Sequence, residues 1–197
     1  MKQVLFVLGL LVVTSMWAQD GQKLVVEGKT WLVHSVGPAP DCSVMVTQIL
    51  LGDTVLGGVI CMKLYEKSEG TDWGMPINEP CRYIGAIYEK GQKVYYKPMG
   101  KVEFELLYDF GLQTGSVFPT YGDGAEFKMT GKDEVVQGGV TYARQYMSVD
   151  VLTVFKWVEG VGSEVGLTHN GANGLISGGS SYFLYMARRA DLRYGLW

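Results

Sequence analysis

The chain has 197 residues, with 17 Lys and Arg against 20 Asp and Glu and a formal net charge of −3. These charges are scattered, with no basic stripe and no acidic tail, which excludes a nucleic-acid backbone or an anionic membrane surface as the partner. The length suits one ordinary domain with enough residues to bury a real core.

In chain order, Met1-Lys2 gives a short positive start. Val4 to Val13 is then Val, Leu and Phe broken only by Gly9, and Thr14 to Gln19 closes it with a flank of mostly small and polar residues. The run is too short to span a bilayer and carries a cleavage-type flank, so residues 1–18 are expected to be a secretory signal peptide cut after Ala18. The expected location is extracytoplasmic: secreted, periplasmic or on the cell surface. No later apolar stretch approaches spanning length, so no membrane span is expected after cleavage.

Residues 19–197 read as a single all-β domain. Helical periodicity is nearly absent, and short runs of Val, Tyr, Phe and Thr are separated by turn residues among the 27 glycines. Lys23–Glu27 and Thr30–Ser35 flank Gly28-Lys29 as a predicted hairpin. Ser43–Leu51 should end at Gly52-Asp53. Arg82–Glu89 and Lys93–Lys97 should form a second hairpin around Lys90-Gly91-Gln92. Glu103–Tyr108, Glu126–Thr130, Thr141–Ser148 and Leu152–Val158 read as further strands, and Tyr182–Ala187 as a closing one. Two stretches read as loops, Glu66–Pro80 and the Gly/Asn/Ser-rich Thr168–Ser181.

An internal repeat points to two related halves. Asp53-Thr-Val-Leu-Gly57-Gly58-Val59 and on to Tyr65 matches Asp133 to Tyr146, with Gln137 inserted before the second Gly-Gly. Each copy is a strand, a turn permitting positive φ, and a strand with Val, a basic residue and Tyr on one face. The expected fold is an antiparallel β-sandwich of two related halves, with a small β-barrel enclosing a pocket as the alternative.

Two segments are more specific than composition. Lys93-Val94-Tyr95-Tyr96 is followed by Glu105-Leu-Leu-Tyr-Asp-Phe-Gly-Leu-Gln-Thr-Gly115, and Trp157-Val-Glu-Gly-Val-Gly-Ser163 precedes Gly166-Leu167. With Tyr83 to Tyr96 they resemble a group of uncharacterised secreted proteins common in Bacteroidota, over roughly Gly52 to Leu167. The resemblance implies export and a β-rich fold, and carries over no activity or catalytic residue.

Candidate chemistry is sparse. Three cysteines in an exported chain suggest one disulfide and one free thiol; Cys42 and Cys81 have loop-like contexts and are the expected pair, Cys61 the free one. No CxxC spacing occurs and the only histidines are His34 and His169, so no metal site and no cofactor are expected. His34 sits on a predicted strand and His169 in a Gly/Asn loop, so neither suits a catalytic base. The leading expectation is a non-catalytic binding or interaction module for a glycan or a surface protein. Trp73 with Asp72 and Asn78 in the 66–80 loop is the first candidate site, and Tyr121 beside Asp123 the second. An extracytoplasmic hydrolase using an Asp/Glu pair is the alternative. No oligomeric state is expected from the sequence.

Overall fold

The structure is a computed structural model, described for residues 22–36, 41–119, 126–137, 139–149, 154–164 and 166–168, and for the backbone of 181–189. The signal-peptide segment, Tyr121, Asp123, His169 and most of the Thr168–Ser181 segment lie outside the described residues.

The described chain is all-β, built as two antiparallel sheets packed together. Strands β1 (Lys29–Val36), β2 (Ser43–Leu56), β3 (Val59–Asp72), β4 (Met75–Lys90), β5 (Lys93–Pro98) and β6 (Glu105–Asp109) meander through the first sheet. Strands β7 (Val117–Pro119), β8 (Glu126–Gln137), β9 (Val140–Ser148), β10 (Val154–Val158) and β11 (Gly162–Ser163) meander through the second. The last strand, β12 (Ser181–Arg189), returns to pair with β1 and makes the first sheet seven-stranded. Sequence neighbours pair at every step within each half, as an up-and-down arrangement requires.

The inner faces meet in one aromatic core. Trp157 packs edge-on against Tyr108, Phe118 and Phe127 at centroid distances of 5.1, 4.9 and 6.2 Å. Trp31, Leu50, Leu64, Ile87 and Leu107 complete the core from the first sheet, and Met129, Met147 and Phe155 from the second. Side chains of this size fill the space between the sheets, and each fully buried one contributes roughly 1.5–3 kcal/mol. Polar ties join the halves. Gln48 of β2 donates to Thr168 Oγ1 at 2.9 Å, Gln145 of β9 donates to the Phe110 carbonyl at 3.0 Å, and the Tyr108 hydroxyl donates to the Leu167 carbonyl at 2.5 Å.

Three predicted elements come out differently. Lys23–Glu27 forms no strand: it crosses the end of the fold as a strap, buries Leu24 in the core, and its Leu24 and Val25 amides donate to the Glu89 carboxylate at 2.9 and 3.0 Å. Without a neighbouring strand those amides take a side-chain acceptor instead. Gly52-Asp53 is not a turn. Strand β2 runs through it with a bulge between Leu50 and Asp53, and the turn falls on Gly57-Gly58. The predicted 66–80 loop is a hairpin closed by two residues, Trp73-Gly74. Its strands project past the core, so both faces meet water and the period-2 signal vanishes.

The expected Cys42–Cys81 disulfide is also corrected, since all three cysteines are free. Cys42 precedes Ser43, which pairs with Thr71, and Thr71 pairs with Pro76. Cys81 therefore lies five residues further along β4 and two strands over, about 16 Å along and about 10 Å across. A disulfide needs Cα atoms within about 7 Å.

Candidate functional site

The hairpin of β3 and β4 ends in an unusual turn. Trp73 has φ 48° and Gly74 φ 74°, so both central residues are left-handed and the turn is type I′. Trp73 is the only non-glycine residue with positive φ among the described residues. Such turns favour Asn, Asp or Gly at the first central position, and an aromatic side chain there costs about 1 kcal/mol. The indole recovers little from packing. It is 66% exposed, with Met75 beside it 67% exposed, and it makes no ring contact among the described residues.

The turn is braced from behind. The Trp73 amide donates to the buried Cys42 Sγ at 3.2 Å, and the Asp41 carboxylate lies 3.2 Å from where a Cβ on Gly74 would sit. Gly70, with φ 145°, lets β2 approach so closely that a Cβ would lie 2.1 Å from the Ser43 carbonyl. The tip is thus exposed but held.

The other residues expected beside Trp73 do not converge on it. Asp72 pairs with Met75 and Glu69 with Asn78, so Asp72 and Asn78 project to opposite faces of the arm. Both are exposed. The second candidate pair, Tyr121 and Asp123, lies outside the described residues. His34 sits on β1, its Nε2 2.7 Å from Ser43 Oγ.

Sequence reading missed the outer face of the seven-stranded sheet. Lys63 pairs with Ala86, and Ala86 pairs with Lys97, so one row places two lysines on either side of a buried alanine. Tyr65 and Tyr83 stand on one side of this row, their rings edge-to-face at 5.8 Å. Tyr88 and Tyr95 stand on the other, stacked at 4.8 Å with 8° between planes, and Phe104 closes on Tyr88 at 4.9 Å. The lysine ammoniums and the four tyrosine hydroxyls make no hydrogen bond or ion pair among the described residues. Burial raises the pKa of both Tyr83 and Tyr88. Alternation in Lys63-Leu-Tyr65 and Tyr95-Tyr-Lys97 was the available signal, but only strand register aligns the two segments.

The inner face ends in a cleft of about 610 Å³ between the hairpin tips, the strap and the β10–β11 turn. Asp53, Glu89, Glu159 and Lys23 line it, with Ile60 and Gln92. Burial pushes the Glu89 carboxyl up, opposed by the Val25 and Leu24 amides. Nearby, the Lys29 ammonium donates to the carbonyls of Lys23 and Gly160 and lies 5.7 Å from the Trp31 ring centroid. Burial lowers its pKa to about 8, with Glu89 pulling the other way. Among the described residues no three His, Cys, Asp or Glu side chains gather closely enough to hold a metal ion.

The chain matches no protein family, no curated protein and no solved structure.

Proposed function

We propose that this chain is an extracytoplasmic, non-catalytic binding module, and that the β3–β4 arm presents Trp73 to a glycan or a cell-surface partner. One observation carries the reading. A large aromatic occupies a left-handed turn position that disfavours it, stays exposed, and sits on a braced backbone. Strain kept where the fold gains little burial points to selection for the side chain itself. An exposed indole offers a rigid apolar face for a sugar ring, and Asp72 at its shoulder adds an acceptor for hydroxyls.

The hydrolase alternative draws on the cleft, where burial raises Glu89 in the direction a general acid needs. That carboxylate is engaged by two strap amides, which fits an anchoring role better than proton transfer.

The test is a glycan and polysaccharide array probed with residues 19–197 and with Trp73→Ala and Trp73→Asn copies. Trp73→Asn should bind at least tenfold more weakly, yet be more stable by about 0.5–1 kcal/mol because Asn-Gly suits a type I′ turn. Array binding unchanged in both variants would exclude the arm as the site.

A further inference from the structure

We propose that the outer face of the seven-stranded sheet is a second binding site, which takes a carboxylate-bearing saccharide chain across Lys63 and Lys97. The two lysines occupy one row on β3 and β5, with only Ala86 of β4 between them. Their backbones are two strand spacings apart, about 10 Å. Neither ammonium has a partner among the described residues, and the tyrosines on both sides contribute no negative charge at neutral pH. Asp53, the nearest acid in the adjoining hairpin, pairs with Met62 and so belongs to the inner face. Lys90 and Lys93, further along the outer face, add positive charge, part of it taken by Asp109 at 3.2 Å from Lys93. In a chain of net charge −3 this is a local site for an anion.

The spacing and the ring geometry narrow the anion's class. Two lysines rooted a full strand apart offer two positive charges along one row of the sheet. They meet charges repeated along an extended polymer, as in a polyuronate whose alternate units turn their carboxylates the same way. The Tyr88 and Tyr95 faces are turned onto each other, and Tyr65 and Tyr83 meet edge to face. The pairing takes up ring faces between neighbours, and the four hydroxyls offer donors and acceptors that suit sugar hydroxyls. The choice of a saccharide rests on the binding-module reading above; the demand for negative charge does not.

The experiment is titration calorimetry of residues 19–197 with polygalacturonate and with its fully methyl-esterified, uncharged form, at about 0.1 M salt, where exposed charges beyond about 10 Å are screened. The acid form should bind, and the ester at least tenfold more weakly. A Lys63→Gln/Lys97→Gln double variant should lose at least tenfold. Lys128→Gln/Lys156→Gln, the same charge change on the other sheet, should lose less than twofold. Trp73→Ala should leave this binding unchanged. Absence of acid binding, equal binding of ester and acid, or equal losses in the two double variants would overturn the site. If only Trp73→Ala abolishes polygalacturonate binding, the arm reading survives and this one fails. Circular dichroism of each variant separates lost binding from lost fold.

Discussion

From Asp53 to Tyr65, the β2–β3 hairpin carries an acid, a Gly-Gly turn, a lysine and a tyrosine. From Asp133 to Tyr146, β8–β9 repeats the pattern with arginine for lysine and Gln137 added. In the second hairpin Asp133 pairs directly with Arg144. The guanidinium holds the carboxylate through two bonds of 2.8 and 2.6 Å, and the Tyr146 hydroxyl donates to it at 2.8 Å. Hydrogen bonds from Arg144 pull Asp133 down to about 2, and the Tyr146 hydroxyl is raised chiefly by its bond to Asp133. In the first hairpin the turn lacks the extra residue, so Asp53 pairs with Met62, one place short of Lys63. A one-residue change of register moves a side chain to the other face. Asp53 therefore lines the inner cleft, while Lys63 and the Tyr65 hydroxyl lie outside with no hydrogen bond or ion pair among the described residues. One residue separates a closed ion-pair plate from an open cationic surface.

The broadest way to break this comparison is to remove the core beneath both hairpins. Trp157→Ala should cost about 3–5 kcal/mol in chemical denaturation. A loss of protection confined to β8 and β9 in hydrogen exchange would mean that the hairpins do not share a core. Next in size is the strap over the inner face where Asp53 lies. Lys29 has a folded pKa of about 8 against an ordinary 10.5, so the unfolded chain binds the extra proton between those values. Stability should rise as pH goes from 8 to 10.5, by at most about 3 kcal/mol, with no further Lys29 contribution to the slope below 8. Lys29→Met should flatten that limb in denaturant midpoints measured across the range. An unchanged slope would place the titration elsewhere.

A smaller and more pointed test copies one register onto the other. One Gln inserted between Leu56 and Gly57 should bring Asp53 opposite Lys63 on the outer face. Polygalacturonate binding should then fall at least tenfold, about 1.4 kcal/mol. Retained binding would show that register does not set the charge of that surface. The smallest effect belongs to the exposed plate. Asp133→Asn should bring the Tyr146 pKa back toward its usual value, read by ultraviolet titration. It should also remove a stability increment that is present above pH 3.8 and is lost as pH falls toward 2. High salt should shrink that increment in the parent chain.

The strands over the core were legible because one face is buried and the period-2 signal survives there. Leu64, Ile87, Tyr96, Phe127 and Phe155 all sit on inner faces as alternation requires. The arm was not legible, since residues 66–80 have water on both faces and their polar composition reads as a loop. Trp73 was visible as a candidate from its surroundings, but its positive φ and exposure were not, because both depend on where the turn falls. The cysteines misled for a related reason: loop-like neighbours say nothing about separation along a strand, and Cys81 lies within β4.

By itself the sequence determined the all-β class, the Gly-Gly repeat and most of the strands over the core, because period and turn chemistry are local properties of the chain. Tertiary structure alone decided that Lys63 and Lys97, far apart in sequence, flank one alanine, that Asp53 and Asp133 face opposite ways, and that Cys42 and Cys81 do not meet. Each of these depends on strand register, which is set by bulges, turn length and the burial of whole faces against the other sheet.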